Sequence, residues 1–456
     1  MIEKHLRKLL RFSKSHDSDL FVVGGPLRDH LLKRKCSDFD FSTRGASTVA
    51  RKYSQEIKSP LVPLGTTPGR ETFRVVIRKD VYFDFSELQG DSIESDLHKR
   101  DFTFNAMAVP LKHFLKGTKS FFDPHNGKGD IKNKLIRVLP GSIFTNDPLR
   151  MLRAFRFMSV LGFQIEENTF LKVKKLKAKI NRVAPERIFN ELKLLLSAKN
   201  ASSSILSMHD SGLLKCIFPS LYKNQELLPS LKVLDHIESL LSDPKKTGVK
   251  PLTKIKKTLL SKPGLIKLGS ILYPLIKTSP ARTIEQQEKW GRKIKIGKLL
   301  NEFCASNAEI DFVVAMVSCW RLASVNKLKF AASHPNQFQL YHFINQNEDG
   351  LIPGLFLHLA NRPKLPIGKS WKTDATSIAV RNVLAFYFQT YLPTKAKKPL
   401  LDGNDIQLKF KIPPSPIFAT ILYKVEEARV LGNIHTRSEA FGLVKKLIGD
   451  KEKGNN

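Results

Sequence analysis

Hydrophobic and polar positions alternate over short distances in the first part of the chain. Runs of β-branched and aromatic residues at Phe21–Val23, Phe73–Ile77 and Val81–Phe85 are bounded by Gly, Pro and Asp. Runs of this kind predict strands, and the short interruption at Arg78–Asp80 predicts a hairpin between the last two. Residues 1–140 are therefore predicted to combine a sheet with helices.

From about Asp147 onward, the apolar positions recur at the spacing of helices. Two stripes illustrate this spacing: Met151, Ala154, Phe155 and Met158, and then Ile188, Leu192 and Leu195. The pattern stays helical from about residue 225 to 390, with interruptions by basic stretches that contain Pro and Gly. Residues 392–414 are rich in Pro and Lys and predict a connector, and an amphipathic helix is predicted from about Pro416.

The chain carries a large excess of positive charge. Its 456 residues include 76 Lys and Arg against 42 Asp and Glu, which gives a net charge of +34. Such an excess destabilises a compact chain by self-repulsion and is typical of proteins with a polyanionic partner, most often nucleic acid. A surface whose lysines serve only solvation is the alternative that charge alone leaves open.

Composition excludes several other classes of protein. Hydrophobic residues make up 41% of the chain, enough for packed cores, which excludes wholesale disorder. The four cysteines lie far apart without a CxxC pair, so neither a disulfide framework nor a thiolate zinc site is predicted. Apolar runs stay short of the ~18 residues of a membrane span, and the charged N-terminal stretch lacks the core of a signal peptide. A soluble protein of the cytoplasm is expected.

The first chemical signal is a pair of glycines directly after a predicted strand. Gly24 and Gly25 follow the run Phe21–Val23 and precede a helical pattern. Such a turn leaves free backbone N–H groups where a phosphate can approach closely. On its own, this turn is a weak signal of nucleotide binding.

Two aspartates in the segment Ser37–Phe41 strengthen that signal. Strand alternation places Asp38 and Asp40 on one face and two phenylalanines on the other. Carboxylates this close raise each other's pKa unless a cation lies between them, and Mg²⁺ prefers oxygen ligands of this kind. Two Mg²⁺ ions would activate an attacking oxygen and stabilise a leaving phosphate. A solvated edge strand is the structural alternative, and Asp84 in the predicted hairpin is a candidate third carboxylate.

A second group of polar residues begins at Asp147. Asp147 before Pro148 predicts a helix N-terminus, but capping does not explain Arg150, Arg153 and Arg156. On a helix, Asp147 and Arg150 share a face and present an acceptor beside a donor. Cytosine and adenine match this edge, whereas uracil and guanine leave polar groups unpaired at ~1–3 kcal/mol each. The pair therefore favours cytosine and adenine.

Five sequence segments follow one another along the chain in a recognisable order. They are GGPLRDHLLKRKCSDFDFST (24–43), DLHKRDFTFNA (96–106), FFDPHNGKGDIKNKLIR (121–137), NDPLRMLRAFRF (146–157) and PERIFNEL (185–192). In this order they resemble the motifs of the bacterial-type (class II) family of CCA-adding tRNA nucleotidyltransferases and poly(A) polymerases. The segments PLLDGNDI (399–406) and ILYKVEEARVLGNIHTRSEAFGLVKKLI (421–448) resemble the tail of the CCA-adding type.

The resemblance implies an α+β fold in which a polymerase-β-like nucleotidyltransferase head, a mixed sheet with helices, precedes all-helical parts. The implied domains are the catalytic head at 1–140, a neck with base recognition at 141–225, a body at 226–395 and an RNA-binding tail at 396–456. It also implies catalytic roles for Asp38, Asp40 and Asp84, with metal at the first two. The implied nucleotide-binding residues are Gly24, Gly25, Arg28, Arg100, Asp101, Asn105, Asp147, Arg150, Arg153 and Arg156.

Two positions depart from the family pattern. A further region resembles a hydrolase motif that lacks part of its metal ligands. Asn146 stands where an acidic residue is usual, and Lys99 replaces a commoner arginine. The segment around His236 resembles the first histidine segment of HD phosphohydrolases. The paired His and Asp are replaced by Tyr273 and Pro274, which cannot serve as metal ligands. A helical scaffold without that metal is predicted, with His236 as a packing or surface residue.

Together these patterns predict an enzyme. Its reaction would be the metal-dependent, template-independent transfer of CMP and/or AMP from CTP or ATP to an RNA 3′ end, with release of pyrophosphate. Addition or repair of the tRNA 3′-CCA end, in whole or in part, is the leading prediction. Poly(A) polymerase is the alternative of the same class, and a catalytically silent RNA-binding protein is the alternative of another class.

Overall fold

The computed structural model describes residues 2–65, 71–117, 121–222, 227–243, 245, 251–277, 295–362, 374–413 and 415–452. The chain divides into two compact units, Met1–Pro219 and Ser220–Asn456. The finer division into four domains remains a prediction. Within the ranges described, no helix combines the length and the hydropathy that a membrane crossing requires.

A six-stranded mixed sheet forms the centre of the first unit. Its strands are β1 (Phe21–Val23), β2 (Asp38–Thr43), β3 (Leu61–Gly65), β4 (Thr72–Arg78), β5 (Val81–Glu87) and β6 (Ala108–Pro110). Their order in the sheet is β3-β4-β5-β2-β1-β6; β2 and β5 are parallel, and the other neighbours are antiparallel. The predicted hairpin is confirmed as β4–β5. A separate two-stranded sheet pairs β7 (Leu135–Ile136) with β8 (Gln164–Ile165).

Helices surround this sheet and continue beyond it. They are α1 (Ile2–Ser15), α2 (Gly25–Leu31), α3 (Ala46–Ile57), α4 (Ile93–Leu97), α5 (Leu111–Leu115), α6 (Gly127–Lys132), α7 (Ile143–Asn146), α8 (Leu149–Leu161), α9 (Glu167–Leu176), α10 (Pro185–Ser197), α11 (Ala201–Ser211) and α12 (Leu213–Ile217). Two 3₁₀ helices occur at Thr103–Asn105 and Lys177–Arg182, and a short helix at Pro219–Tyr222 crosses the boundary between the units.

An aromatic cluster covers one face of the sheet, so the polar side chains of the same strands lie on the other face. Phe41 packs edge-on against Phe83 and stacks on Phe85, with ring centroids 5.3 and 5.4 Å apart, and Tyr53 of α3 covers the phenylalanines of β5. Phe39 is 6% exposed and the others in this cluster are fully buried. Because successive strand residues point to opposite faces, the aspartates between these phenylalanines point away from the core.

The two predicted helical stripes pack against each other in the first unit. Helices α8 and α10 are neighbours, and the stripe residues Met151, Phe155, Ile188, Leu192 and Leu195 are buried. This packing places the arginines of α8 and the polar residues at the start of α10 beside the head, where the candidate site lies.

The second unit is helical throughout its described residues. Its helices are Leu227–Ser242, Leu252–Ser261, Pro263–Leu272, Pro274–Lys277, Lys295–Glu302, Asn307–Phe330, Gln337–Asn347, Leu351–Ala360, Ala375–Phe386, Leu392–Lys395, Gly403–Phe410, Ile417–Val430 and Arg437–Glu452, with a 3₁₀ turn at Glu348–Gly350 and a π-helical turn at Tyr387–Tyr391. The predicted helix near Pro416 is confirmed.

The predicted connector at residues 392–414 is wrong in part, because it contains the helices Leu392–Lys395 and Gly403–Phe410. A capping box starts the second of these helices. Asp402 accepts a hydrogen bond from the backbone N–H of Asp405 at 2.9 Å, and Asp405 accepts one from the N–H of Asp402 at 3.0 Å. Ile406 is fully buried in a hydrophobic cluster with residues of the two last helices. Local capping and burial thus outweigh the Pro- and Lys-rich composition.

Candidate active site

The glycine pair lies where the sequence predicts, between β1 and α2. Gly24 has φ = +66°, a conformation that favours glycine. A Cβ atom at Gly24 would lie 3.2 Å from Nη1 of Arg100 and 3.7 Å from the carbonyl O of Asn105. A Cβ at Gly25 would lie 3.6 Å from Oδ2 of Asp40. The missing side chains therefore keep open the space between the turn, the arginine and the carboxylate.

The three candidate carboxylates lie on one face of the sheet. Asp40 of β2 and Asp84 of β5 are partners in the parallel ladder, so their side chains lie next to each other on that face. Asp38, two residues before Asp40, is exposed, whereas Asp84 is 7% exposed. The alternation predicted for Asp38 and Asp40 is confirmed.

Asp40 is a half-buried carboxylate in a site that suits a cation. Burial, followed by the neighbouring Asp84 carboxylate, raises its pKa to about 6. Burial also raises the pKa of Asp38, which Arg74 partly opposes. Among the hydrogen bonds and ion pairs of the described residues, none involves the Asp40 carboxylate. The same residues contain no group of three or more His, Cys, Asp or Glu side chains arranged to hold a metal ion.

Asp40 opens into a cavity of about 420 Å³. Its lining includes six arginines and three aspartates, a surplus of positive charge that suits a triphosphate. Eleven of the thirteen predicted site residues line it; Asp38 and Asp84 lie on the sheet face beyond. The lining residues are Gly24, Gly25, Arg28, Asp40, Arg100, Asp101, Asn105, Asp147, Leu149, Arg150, Arg153, Arg156, Phe157 and Arg187.

Asp101 is the centre of a hydrogen-bonded network along the cavity wall. Its Oδ2 accepts from Nε and Nη2 of Arg153 at 2.9 and 2.7 Å, and its Oδ1 accepts from Nδ2 of Asn105 at 3.0 Å. Asn105 in turn accepts a hydrogen bond from Nη1 of Arg28 at 2.9 Å. Burial alone would raise the pKa of Asp101, but Arg153, Asn105 and Arg150 outweigh it and hold the pKa at about 2. The network fixes two of the predicted nucleotide-binding arginines in the cavity.

The network continues to helix α10 through a carboxylate that the sequence analysis did not single out. Glu191 lies 2.6 Å from Nε of Arg156 and 3.7 Å from Nη1 of Arg153. The guanidinium groups of Arg28, Arg153 and Arg156 lie 5.3, 5.6 and 4.2 Å from the ring centroid of Phe157. The ring therefore adds a cation–π contact to the polar contacts of these three arginines.

The proposed base-reading pair lies at the start of α8. The Asp147 Oδ1 atom accepts a hydrogen bond from the N–H of Leu149 at 3.3 Å, but Pro148 takes the N-cap position of α8, so the N-cap predicted at Asp147 lies one residue too early. Arg150 donates to the carbonyl oxygens of Arg100 and Lys99 at 3.0 and 3.1 Å, so α8 is tied to the second of the five motif segments. Both side chains of the pair line the same cavity, as the spacing predicts.

Arg187 of α10 is the main site residue that sequence reasoning missed. Its Nη2 lies 3.2 Å from Oδ2 of Asp147, and its side chain is 55% exposed. The signal was present, because Arg187 belongs to the fifth motif, PERIFNEL, but nothing local connects it to Asp147 forty positions earlier. Asn146, which departs from the family pattern, is exposed and does not line the cavity.

A mixed sheet that displays paired carboxylates beside a Gly–Gly turn and an arginine-lined cavity is the arrangement expected of a nucleotidyltransferase. Two family models match the chain. The poly(A) polymerase head domain matches residues 20–137, and the probable RNA and SrmB-binding site of polymerase A matches residues 162–224.

Curated relatives and solved structures agree with these matches. The A-adding tRNA nucleotidyltransferase of Deinococcus radiodurans is 26% identical over 93% of this chain and 94% of its own. The CC-adding tRNA nucleotidyltransferase of Geobacter sulfurreducens is 28% identical over 95% and 93%. The fold matches the Thermotoga maritima CCA-adding enzyme complexed with tRNA at a TM-score of 0.61, with 21% identity over 98% of this chain and 95% of that one. Over nearly its whole length the chain is thus similar to A-adding and CC-adding tRNA nucleotidyltransferases, and its first part matches the poly(A) polymerase head domain.

Proposed function

We propose that this protein acts in the cytoplasm and adds CMP and/or AMP, from CTP and ATP, to the 3′ end of tRNA and releases pyrophosphate. One observation carries the proposal. A single cavity brings together the Gly24–Gly25 turn, the Asp40 carboxylate and the pair Asp147 and Arg150. This pair lies more than a hundred residues after the turn and Asp40 in the sequence.

The triphosphate is proposed to lie along the arginine wall of this cavity. Arginine suits this work because its planar donor fork pairs with phosphate oxygens and stays charged. Arg100 already uses Nε and Nη2 on Asp96, at 3.0 and 2.8 Å, while its Nη1 faces the Gly24 turn. The head thus offers a fixed cation at the place where the backbone permits close approach.

Asp38 and Asp40 are proposed to hold Mg²⁺. The fit rests on Asp40, which is half-buried, lacks a hydrogen-bonding partner among the described residues and has a raised pKa. Mg²⁺ often binds one or two carboxylates and takes its other ligands from water and substrate phosphates. When bound, it would stabilise negative charge on the attacking and leaving oxygens. The residues of the chain position the reactants, which can supply a large part of the rate enhancement.

Asp147 and Arg150 are proposed to select the base. Asp147 accepts from the amino group of cytosine or adenine, and Arg150 donates to the adjacent ring nitrogen. Arg187 contacts the Asp147 carboxylate through one nitrogen, so other lone pairs of that carboxylate stay available to a base. A base whose edge carries a carbonyl oxygen would place that oxygen against the Asp147 carboxylate. The two acceptors would stay unpaired, which costs about 1–3 kcal/mol of binding free energy.

The choice of tRNA is supported by the relatives, which are A-adding and CC-adding tRNA nucleotidyltransferases, and by the charge of +34. We propose that the implied body and tail domains hold the folded tRNA through phosphate contacts, with residues 399–406 of the tail contributing to its placement. Binding should then weaken steeply with salt, with a log–log slope of about −0.7 to −0.9 per phosphate neutralised.

A poly(A) polymerase is the second candidate function. Its support is the head-domain match at residues 20–137 and the large positive charge, which also suits long unspecific RNA contacts. The two functions differ in the RNA they extend and in where extension stops.

The experiment supplies CTP and ATP singly to purified protein with tRNA transcripts that end before the CCA sequence, after its first C and after its second C. A CCA-adding enzyme extends the first two with CTP and the third with ATP. Activity confined to CTP or to ATP would define a CC-adding or an A-adding enzyme. No extension of any transcript would contradict the proposal, with the silent RNA-binding protein as the remaining reading.

A further inference from the structure

Three charged side chains form a row across the sheet beside the proposed metal position. Arg74 of β4 is the ladder partner of Asp84 of β5, and Asp84 is the ladder partner of Asp40 of β2. Ladder partners point to the same face, so guanidinium, carboxylate and carboxylate follow one another over three adjacent strands. The row places a permanent cation on one side of Asp84 and the proposed metal ligand on the other.

The contacts of Asp84 differ from those of Asp40. Nε of Arg74 lies 2.8 Å from Oδ1 of Asp84, and Nη2 lies 2.8 Å from Oδ2, so both carboxylate oxygens are engaged by one fork. The guanidinium also lies over the ring of Tyr82, 4.5 Å from its centroid. Asp40 has no such partner among the described residues.

This geometry makes Asp84 a poor ligand for a metal ion. A bidentate guanidinium–carboxylate pair is among the stronger charge-assisted contacts, and Asp84 is only 7% exposed, which limits screening by solvent. The stack on Tyr82 holds the guanidinium in the orientation that the pair requires. A metal ion could use only the remaining lone pairs, and it would have to approach beside an organic cation that is already paired with both oxygens.

We propose that Arg74 is a positioning residue that withholds Asp84 from the metal, so that Asp38 and Asp40 supply the carboxylate ligands from the sheet face. This inference rests on the proposed metal site at those two residues. With fewer negative ligands, the protein alone would hold the metal weakly, since affinity follows ligand charge and number. The metal would then bind firmly only together with the phosphates of the nucleotide.

Direct binding of Mn²⁺ to the nucleotide-free protein tests this, measured as loss of the free-ion electron paramagnetic resonance signal. The proteins compared are wild type, Arg74→Met, the charge-matched double variant Arg74→Met/Asp84→Asn, and Asp40→Asn. We expect Arg74→Met to bind Mn²⁺ about tenfold more tightly, because it frees a third carboxylate. The double variant should return to within about twofold of the wild type, and Asp40→Asn should lose most of the binding.

Two results would overturn the inference. The first is a double variant that binds Mn²⁺ at least about fivefold more weakly than the wild type, which would make Asp84 a ligand in the native protein. The second is an Arg74→Met protein, folded by circular dichroism, whose affinity is unchanged. If that variant does not fold, the double variant alone decides. Equal Mn²⁺ binding by wild type and Asp40→Asn would instead refute the metal site of the proposed function.

Discussion

The two units of the chain both bury charged side chains, but they pair them differently. In the second unit, Lys267 lies 2.6 Å from Glu238, and His342 lies 2.8 Å from Glu427, so each buried group meets its partner between packed helices. In the first unit, the charged network borders an open cavity, and the Asp40 carboxylate has no hydrogen-bonding partner among the described residues. Unmatched charge at a cavity, rather than buried charge as such, distinguishes the candidate site.

In the second unit, the positions that resemble metal ligands of a hydrolase also have partners within the protein. His236 Nδ1 lies 2.9 Å from the carbonyl O of Ala360, and the buried Tyr273 hydroxyl donates to Oδ1 of Asn361 at 3.0 Å. Tyr273 also packs edge-on against Trp320 with ring centroids 4.7 Å apart. These side chains make packing contacts where a hydrolase would carry ligands.

The largest expected effect follows from removing the unmatched charge. Asp40→Asn should lower nucleotide addition by about a thousandfold or more, because a ligand of the metal is lost while the aromatic core beneath is untouched. Primer extension with labelled CTP measures the rate, and a filter-binding assay measures the affinity for tRNA. Near-normal nucleotide addition by both Asp40→Asn and Asp38→Asn would mean that the unmatched charge in the first unit does not mark an active site.

Base choice should depend on the pair at the start of α8. Arg150→Ala should reduce the use of CTP and ATP by about 10- to 100-fold and shrink their advantage over UTP and GTP, since a mismatch then costs less. Ratios of kcat/KM for the four triphosphates on one tRNA provide the measurement. Arg182→Ala, which removes an exposed arginine outside the cavity, is the matched control. If Arg150→Ala kept the wild-type preference among the four triphosphates, the pair would not select the base, and Asp147 would have only a structural role at the start of α8.

Features encoded locally could be predicted from the sequence, whereas contacts between distant segments could not. The alternation around Asp38 and Asp40, the Gly24 turn and the β4–β5 hairpin depend on neighbouring residues and are confirmed. The pairing of Arg187 with Asp147 depends on how α10 packs on α8, and that of Arg74 with Asp84 depends on strand register. Neither register nor helix packing is specified by the charged residues themselves. The sequence shows the arginines and the aspartates themselves, but it does not show which arginine pairs with which aspartate.

The charged network should also stabilise the first unit. The pKa of Asp101 is lowered from 3.8 to about 2, so its carboxylate contributes about 2 kcal/mol at neutral pH. This contribution is present above pH ~4 and is lost as the pH falls from about 4 to about 2, because the folded state then binds the proton more weakly than the unfolded chain. Asp101→Asn should therefore lower the urea midpoint at pH 7, and the gap to wild type should shrink toward pH 3. A gap that stays constant over this range would contradict the lowered pKa.

A matched substitution in the second unit separates stability from chemistry. Glu238→Gln removes the partner of buried Lys267 and should also destabilise the protein. At a temperature where the variant is folded, it should keep the wild-type preference among triphosphates, whereas Asp101→Asn should not. Altered preference in both variants would mean that stability alone explains the effect.

The smallest expected effect concerns His236. His236→Ala should leave nucleotide addition within about twofold of the wild type, because His236 is exposed and lies outside the cavity. The wild-type protein should also show no phosphodiesterase activity with Ni²⁺ or Mn²⁺. Hydrolysis that depends on these metals and disappears in His236→Ala would give the second unit a catalytic centre of its own.

The central claim is that the protein completes the 3′ end of tRNA, and side-by-side extension of two RNAs at physiological salt tests it most directly. One RNA is a tRNA that lacks its CCA end, and the other is an unstructured oligoadenylate. Recognition of a folded shape predicts efficient extension of the tRNA that stops after at most three nucleotides, with little extension of the oligoadenylate. Long A-tails on the oligoadenylate with ATP alone would contradict the account and favour a poly(A) polymerase.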